Sequence, residues 1–139
     1  MNEKVEGTGQ CLCGTIHFSV KKMNFKVDAC HCGMCRRWSG GPLMVVDCGE
    51  DIVFEGEENI SVYDSSAWAE RGFCKLCGSH LFYRLKASRD HQIPVGLFHD
   101  QDHFKFDLQV FTDRKPPFYS FKNKTKEMTE AEVIEKFTT

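Results

Sequence analysis

The sequence predicts a mainly β fold of small antiparallel sheets with one short helix at its C-terminus. Three observations carry that reading. Short segments alternate apolar and polar residues with period two. Glycine and polar clusters separate these segments. One late stretch, TEAEVIEKF, has helical spacing behind a capping box.

Each element has its own reason. In TIHFSV (15–20), Ile16, Phe18 and Val20 share one face, and His17 and Ser19 the other. In FKVDA (25–29), Phe25, Val27 and Ala29 alternate with Lys26 and Asp28. Residues 43–47, 51–56, 59–65, 79–85, 93–98 and 106–111 read as strands with looser alternation. A helical turn is expected after Cys35, through RRWSG. In the C-terminal helix Thr129 is the N-cap, Glu132 closes the box, and Val133 and Phe137 share a face.

The totals bound the class. At 139 residues, one domain spanning 1–139 is expected. Charged residues are 27% and apolar residues 41%, an ordinary globular balance. Twelve Phe help a small β-rich core, because each buries a large area. A formal charge of −2 gives no footprint for nucleic acid or an anionic membrane. The opening MNEKVEGTGQ has no apolar signal region, and no run of about 18 apolar residues occurs. A cytoplasmic protein is therefore expected. In that compartment clustered cysteines bind metal more often than they form disulfides.

Seven of the eight cysteines fall into three clusters. GQCLCG supplies Cys11 and Cys13, ACHCGMC supplies Cys30, Cys32 and Cys35, and FCKLCGSH supplies Cys74 and Cys77. Gly14, Gly33 and Gly78 accompany them, as left-handed turns around thiolates require. C-x2-C is the usual half of a structural zinc site, and C-x-C places two sulfurs on one face of an extended segment. Pairing Cys11, Cys13, Cys74 and Cys77 closes a four-thiolate site. Cys30, Cys32 and Cys35 then form a second zinc site with one position left for water or a thiol. That position stays in question, because Cys48 or His31 would close it. Cys48 also reads as a small buried hydrophobe. Seven thiolates outweigh two zinc dications, and Arg36 and Arg37, directly after Cys35, offset part of that charge. The same guanidinium groups suit the carboxylates of a ligand. His80 reads as a packed or a functional histidine, and His91, His99 and His103 as solvated loop residues.

The motifs G-x-C-x-C-G, C-H-C-x-x-C-R and F-C-x-x-C-G-S, in this order, resemble the glutathione-dependent formaldehyde-activating enzyme family, whose domain also occurs in centromere protein V. The resemblance runs from GQCLCG to the PPFY segment. It implies an Mss4-like fold. It implies a structural zinc on Cys11, Cys13, Cys74 and Cys77 and a catalytic zinc on Cys30, Cys32 and Cys35. The implied activity is that of a carbon–sulfur lyase, joining formaldehyde reversibly to glutathione. The partners would be a small thiol and an aldehyde, with Arg36 and Arg37 on the thiol's carboxylates. Family members often carry a histidine strand and then a tryptophan near the C-terminus. The comparable run here, LQVFTDRKPPFY, has Gln109 and Phe118/Tyr119. Two other readings compete. An Mss4-like binding module needs only the first zinc. A methionine sulfoxide reductase uses two C-x2-C pairs and a separate redox cysteine, for which only Cys48 is available.

Overall fold

The computed structural model describes residues 5–138, with side chains described up to Lys136. Its strands are β1 Val5–Gln10, β2 His17–Met23, β3 Lys26–Cys30, β4 Leu43–Gly49, β5 Ile52–Glu55, β6 Ile60–Tyr63, β7 Ala69–Cys74, β8 His80–Leu85, β9 His91–Pro94, β10 Lys105–Val110 and β11 Lys126–Met128. The helices are α1 Gly33–Ser39 and α2 Glu130–Thr138. Three short 3₁₀ turns lie at 57–59, 95–97 and 112–114. The chain is mainly β in two sheets, as its alternation predicts. Among the described residues, no helix is long and apolar enough to cross a membrane.

The chain divides into two compact units. The first holds residues 5–25 and 46–104 of those described. In it β1, β2 and β5 form an antiparallel three-stranded sheet. Phe18 of β2 faces Phe54 of β5 across the ladder. The alternation read from the sequence holds: Ile16, Phe18 and Val20 are buried, while His17 and Ser19 are exposed. Burying such side chains stabilises by roughly 1.5–3 kcal/mol each. Phe98 meets Phe18 edge to face at 5.2 Å, the geometry that ring quadrupoles favour. The second sheet of this unit runs β9-β8-β7-β6, beyond the last residues of β4. Gly72 of β7 lies under the buried ring of Phe82, where a β-carbon would sit 2.3 Å from Phe82 Cζ. His91, expected in solvent, is instead buried on β9, with Nδ1 3.1 Å from the Gly49 carbonyl and the Phe82 ring against it. Strand register overrides its polar context.

The second unit holds residues 26–45 and 105–138. Its strand order is β11-β10-β3-β4. β3 pairs antiparallel with β4 but parallel with β10, and β11 runs parallel to β10. These parallel ladders depart from the expected antiparallel pattern. β3 and β10 lie far apart in sequence, and local alternation cannot report which strands pair or in which direction. Val27 and Ala29 are buried, as their alternation predicts. At the start of α2, Thr129 Oγ1 accepts from the Glu132 N–H at 3.3 Å, and the Thr129 N–H donates to Glu132 Oε1 at 2.9 Å. The capping box is formed. The side chain of Phe137, expected to share a face with Val133, lies outside the described residues.

Candidate metal centres

In the first unit two knuckles bring four sulfurs together. One is the turn between β1 and β2, where the Cys11 N–H donates to the Ile16 carbonyl at 3.0 Å. The other is the β7–β8 turn, where the Gly78 N–H donates to the Cys74 carbonyl at 2.9 Å. The Leu12 N–H reaches Ser79 Oγ at 3.0 Å and ties the two. Cys11 Sγ lies 3.6 Å from Cys13 Sγ, and Cys13 Sγ 3.8 Å from Cys74 Sγ. Four sulfurs about 2.3 Å from one zinc have tetrahedral edges of about 3.8 Å. The Sγ atoms of Cys11, Cys13, Cys74 and Cys77 all lie within 4.8 Å of one another, so this set could hold such an ion. Hydrogen bonding with the hydroxyl and backbone of Ser79 pulls the Cys77 thiol down to about 5, and hydrogen bonding with the side chain and backbone of Thr15 lowers Cys13. Both effects favour the thiolates a metal needs.

The second unit gathers three sulfurs. Cys30 ends β3, Cys32 caps α1, and Cys35 sits in the first turn of that helix. Their Sγ atoms also lie within 4.8 Å of one another. Leu43 and Val45 of β4 pack against Cys35, with Cys30 and Cys32 alongside. Cys32 Sγ accepts from the Cys35 N–H at 3.4 Å, as an N-cap side chain does. The thiols of Cys30 and Cys35 and the amides of Cys35 and Met34 lower the Cys32 thiol. Cys30 is raised in turn, because it donates within the triplet and is buried. Thiols crowded this way share protons until a cation replaces them.

The expected glycine roles divide between the clusters. Gly14 and Gly78 take left-handed φ values of 80° and 78°, which a side chain would strain. Gly33 does not, because it opens α1 instead of closing a turn. The helix expected after Cys35 begins before it and ends at Gly40, whose N–H donates to the Arg36 carbonyl at 2.8 Å.

Neither candidate fourth ligand joins the triplet, among the described residues. His31 has both ring nitrogens engaged elsewhere, Nδ1 2.7 Å from the Tyr119 hydroxyl and Nε2 2.8 Å from Gln109 Oε1. Cys48 is buried on β4 and donates to the Val46 carbonyl, and burial pushes its thiol up. Arg36 donates from Nε to the His31 carbonyl at 3.0 Å, whereas Arg37 is exposed on α1. The sequence singled out Gln109 and Tyr119 only as departures from a family pattern. Their partner is His31, 78 and 88 residues away. No local signal announces such pairs.

Two cysteine sets that could each hold a metal ion stand on a mainly β scaffold, and comparison makes the class specific. Residues 6–114 match the model of the glutathione-dependent formaldehyde-activating enzyme family, and the chain belongs to that family. An uncharacterized lyase of Schizosaccharomyces pombe is 38% identical over 130 residues, covering 93% of this chain and 95% of that protein. The crystal structure of a Rhodobacter sphaeroides protein is similar in fold, with a TM-score of 0.58 at 22% identity over 66% of this chain and 87% of that one.

Proposed function

We propose that this chain is a zinc-dependent carbon–sulfur lyase that makes and breaks the glutathione adduct of formaldehyde or another small aldehyde. The family's description names glutathione and formaldehyde, and the fission-yeast relative is called a lyase. The observation that carries the reading is the triplet itself. Three sulfurs converge at Cys30, Cys32 and Cys35, while His31 and Cys48 are held by other partners. A zinc ion there would act as a Lewis acid that lowers the pKa of an incoming thiol.

The chain's own residues supply the rest. Cys30, Cys32 and Cys35 form the cradle, and Leu43 and Val45 give it an apolar wall. Arg36, anchored through Nε to the His31 carbonyl, and Arg37 present cations to the carboxylates of the thiol. In the forward direction the thiol sulfur bonds to the carbonyl carbon. The π pair moves to oxygen, and the thiol proton ends on that oxygen through solvent. The reverse direction breaks the same carbon–sulfur bond and restores the aldehyde and thiol. The four-sulfur site at Cys11, Cys13, Cys74 and Cys77 has a structural role.

Aldehydes and thiols also combine unaided, so the test must be a rate. Exchange NMR with ¹³C-formaldehyde and glutathione measures adduct formation and cleavage directly. The natively purified chain should accelerate both directions, and Cys32→Ser should abolish the gain. Exchange no faster than in buffer would defeat the proposal.

A further inference from the structure

His31 stands between two of the three candidate ligands, yet it is fully buried at 0% exposure. A buried imidazole is tolerated when its nitrogens are satisfied. Here the satisfaction comes from a chain of side chains. Gln109 Nε2 donates to Thr125 Oγ1 at 3.0 Å, which turns Gln109 Oε1 toward His31 Nε2. Nε2 therefore carries the proton, and Nδ1 accepts from the Tyr119 hydroxyl. The Tyr119 ring stacks on the imidazole, with centroids 5.5 Å apart and planes 29° from parallel. The main chain is fixed as well. The His31 N–H donates to the Val110 carbonyl at 3.1 Å, and the His31 carbonyl accepts from Arg36.

In an extended C-x-C segment, successive side chains point to opposite sides. Cys30 ends a strand and Cys32 has extended backbone at φ −66°, ψ 159°. Fixing the direction of the middle residue thus fixes both flanking sulfurs on the other side. Tyr119 and Thr125 lie beyond residues 6–114, which match the family model. Lys115 holds the Tyr119 segment through the Tyr119 carbonyl and Ser120 Oγ.

We propose that His31, Gln109 and Tyr119 are positioning residues that set the geometry of the Cys30–Cys32–Cys35 cradle from behind. The imidazole is a strut and not a ligand, and the segment after β10 tunes how the three sulfurs converge. The proposal rests on the triplet holding a metal, as the functional reading requires.

The test uses the full chain loaded with cobalt(II) in place of zinc, with Tyr119→Phe, Gln109→Ala and Gln109→Glu variants. Tyr119→Phe keeps the stacked ring and removes only the hydroxyl. Gln109→Glu keeps an acceptor for Nε2. Chelator competition reads affinity, and thiolate-to-cobalt absorption reads geometry. The four-sulfur site is an internal control. Tyr119→Phe and Gln109→Ala should each weaken the triplet site about tenfold, the size typical of lost supporting contacts around a metal. Its spectrum should shift while the four-sulfur site is unchanged, and Gln109→Glu should restore it. Unaltered competition and spectra, or equal weakening of both sites, would overturn the positioning role. A wild-type chain that binds only one metal would overturn the functional reading and this inference together. Two metals in the wild type with silent variants would overturn this inference alone.

Discussion

Replacing Cys77 with serine should unfasten the first unit. Cys13 and Cys74, whose sulfurs are 3.8 Å apart, are separated by 61 residues. Closing a loop of that length costs about 3.6 kcal/mol on the logarithmic scaling of loop entropy. Between the knuckles, the hydrogen bond from Leu12 to Ser79 returns only about 1 kcal/mol. A metal held at about a thousand times its dissociation constant adds about 4 kcal/mol, enough to offset the closure. For a chain of this size that stabilisation corresponds to about 10 °C or more in Tm. Differential scanning calorimetry of the zinc-loaded chain, with and without a strong chelator, measures it. Cys77→Ser should lower Tm by about that amount, and the chelator should then cost that variant much less than it costs the wild type. A Cys77→Ser Tm within about 2 °C of wild type would refute the reasoning, since the site would then contribute less than about 1 kcal/mol.

Further outcomes follow from other residues. Gly72→Ala should destabilise by about 2–3 kcal/mol in urea denaturation, because the new methyl meets the buried Phe82 ring at 2.3 Å; a loss under about 0.5 kcal/mol would contradict that packing. Cys48→Ala should leave the metal content at the wild-type value by elemental analysis, since its thiol belongs to neither cradle; loss of one metal equivalent would return it to the second site. Burial holds His91 below its usual value of 6.5, so it is neutral when folded and takes up a proton on unfolding in acid. Its contribution is intact above pH 6.5 and is lost progressively as the pH falls below that value toward the lower folded one, so His91→Gln should show a shallower loss of urea midpoint between pH 7.5 and 5.5, and an unchanged slope would contradict this. Thr129→Ala removes the hydroxyl of the capping box and should lower stability by about 1 kcal/mol in the same assay; no measurable change would mean that the box does not hold α2.

The parts of the fold legible in the sequence are those with local periodicity. Ile16, Phe18 and Val20 alternate with polar neighbours, and Val27 and Ala29 do the same, so β2 and β3 could be read directly. The box at Thr129 and Glu132 announced α2. β1, β7 and β11 gave no such signal. β7 carries Glu70, Arg71 and Gly72, and its identity comes from Phe82 packed on the glycine and Arg71 over the Tyr83 ring. β11 is three residues long and is defined by its pairing with β10. The site divides the same way. Cysteine spacing separated the four-sulfur set from the triplet, because ligand geometry demands short intervals within each half-site. The hold of Gln109 and Tyr119 on His31 was invisible, since these residues lie 78 and 88 positions from it in sequence.

Zinc per chain on natively purified protein, by elemental mass spectrometry with glutathione titrated in and the metal environment followed by X-ray absorption, tests the triplet most directly. Two zinc ions should be found, and glutathione should add one sulfur to the shell of one of them. A single zinc indifferent to glutathione would contradict the lyase site and favour a binding module. Two zinc ions that both ignore glutathione would mean that the triplet is a closed, structural centre.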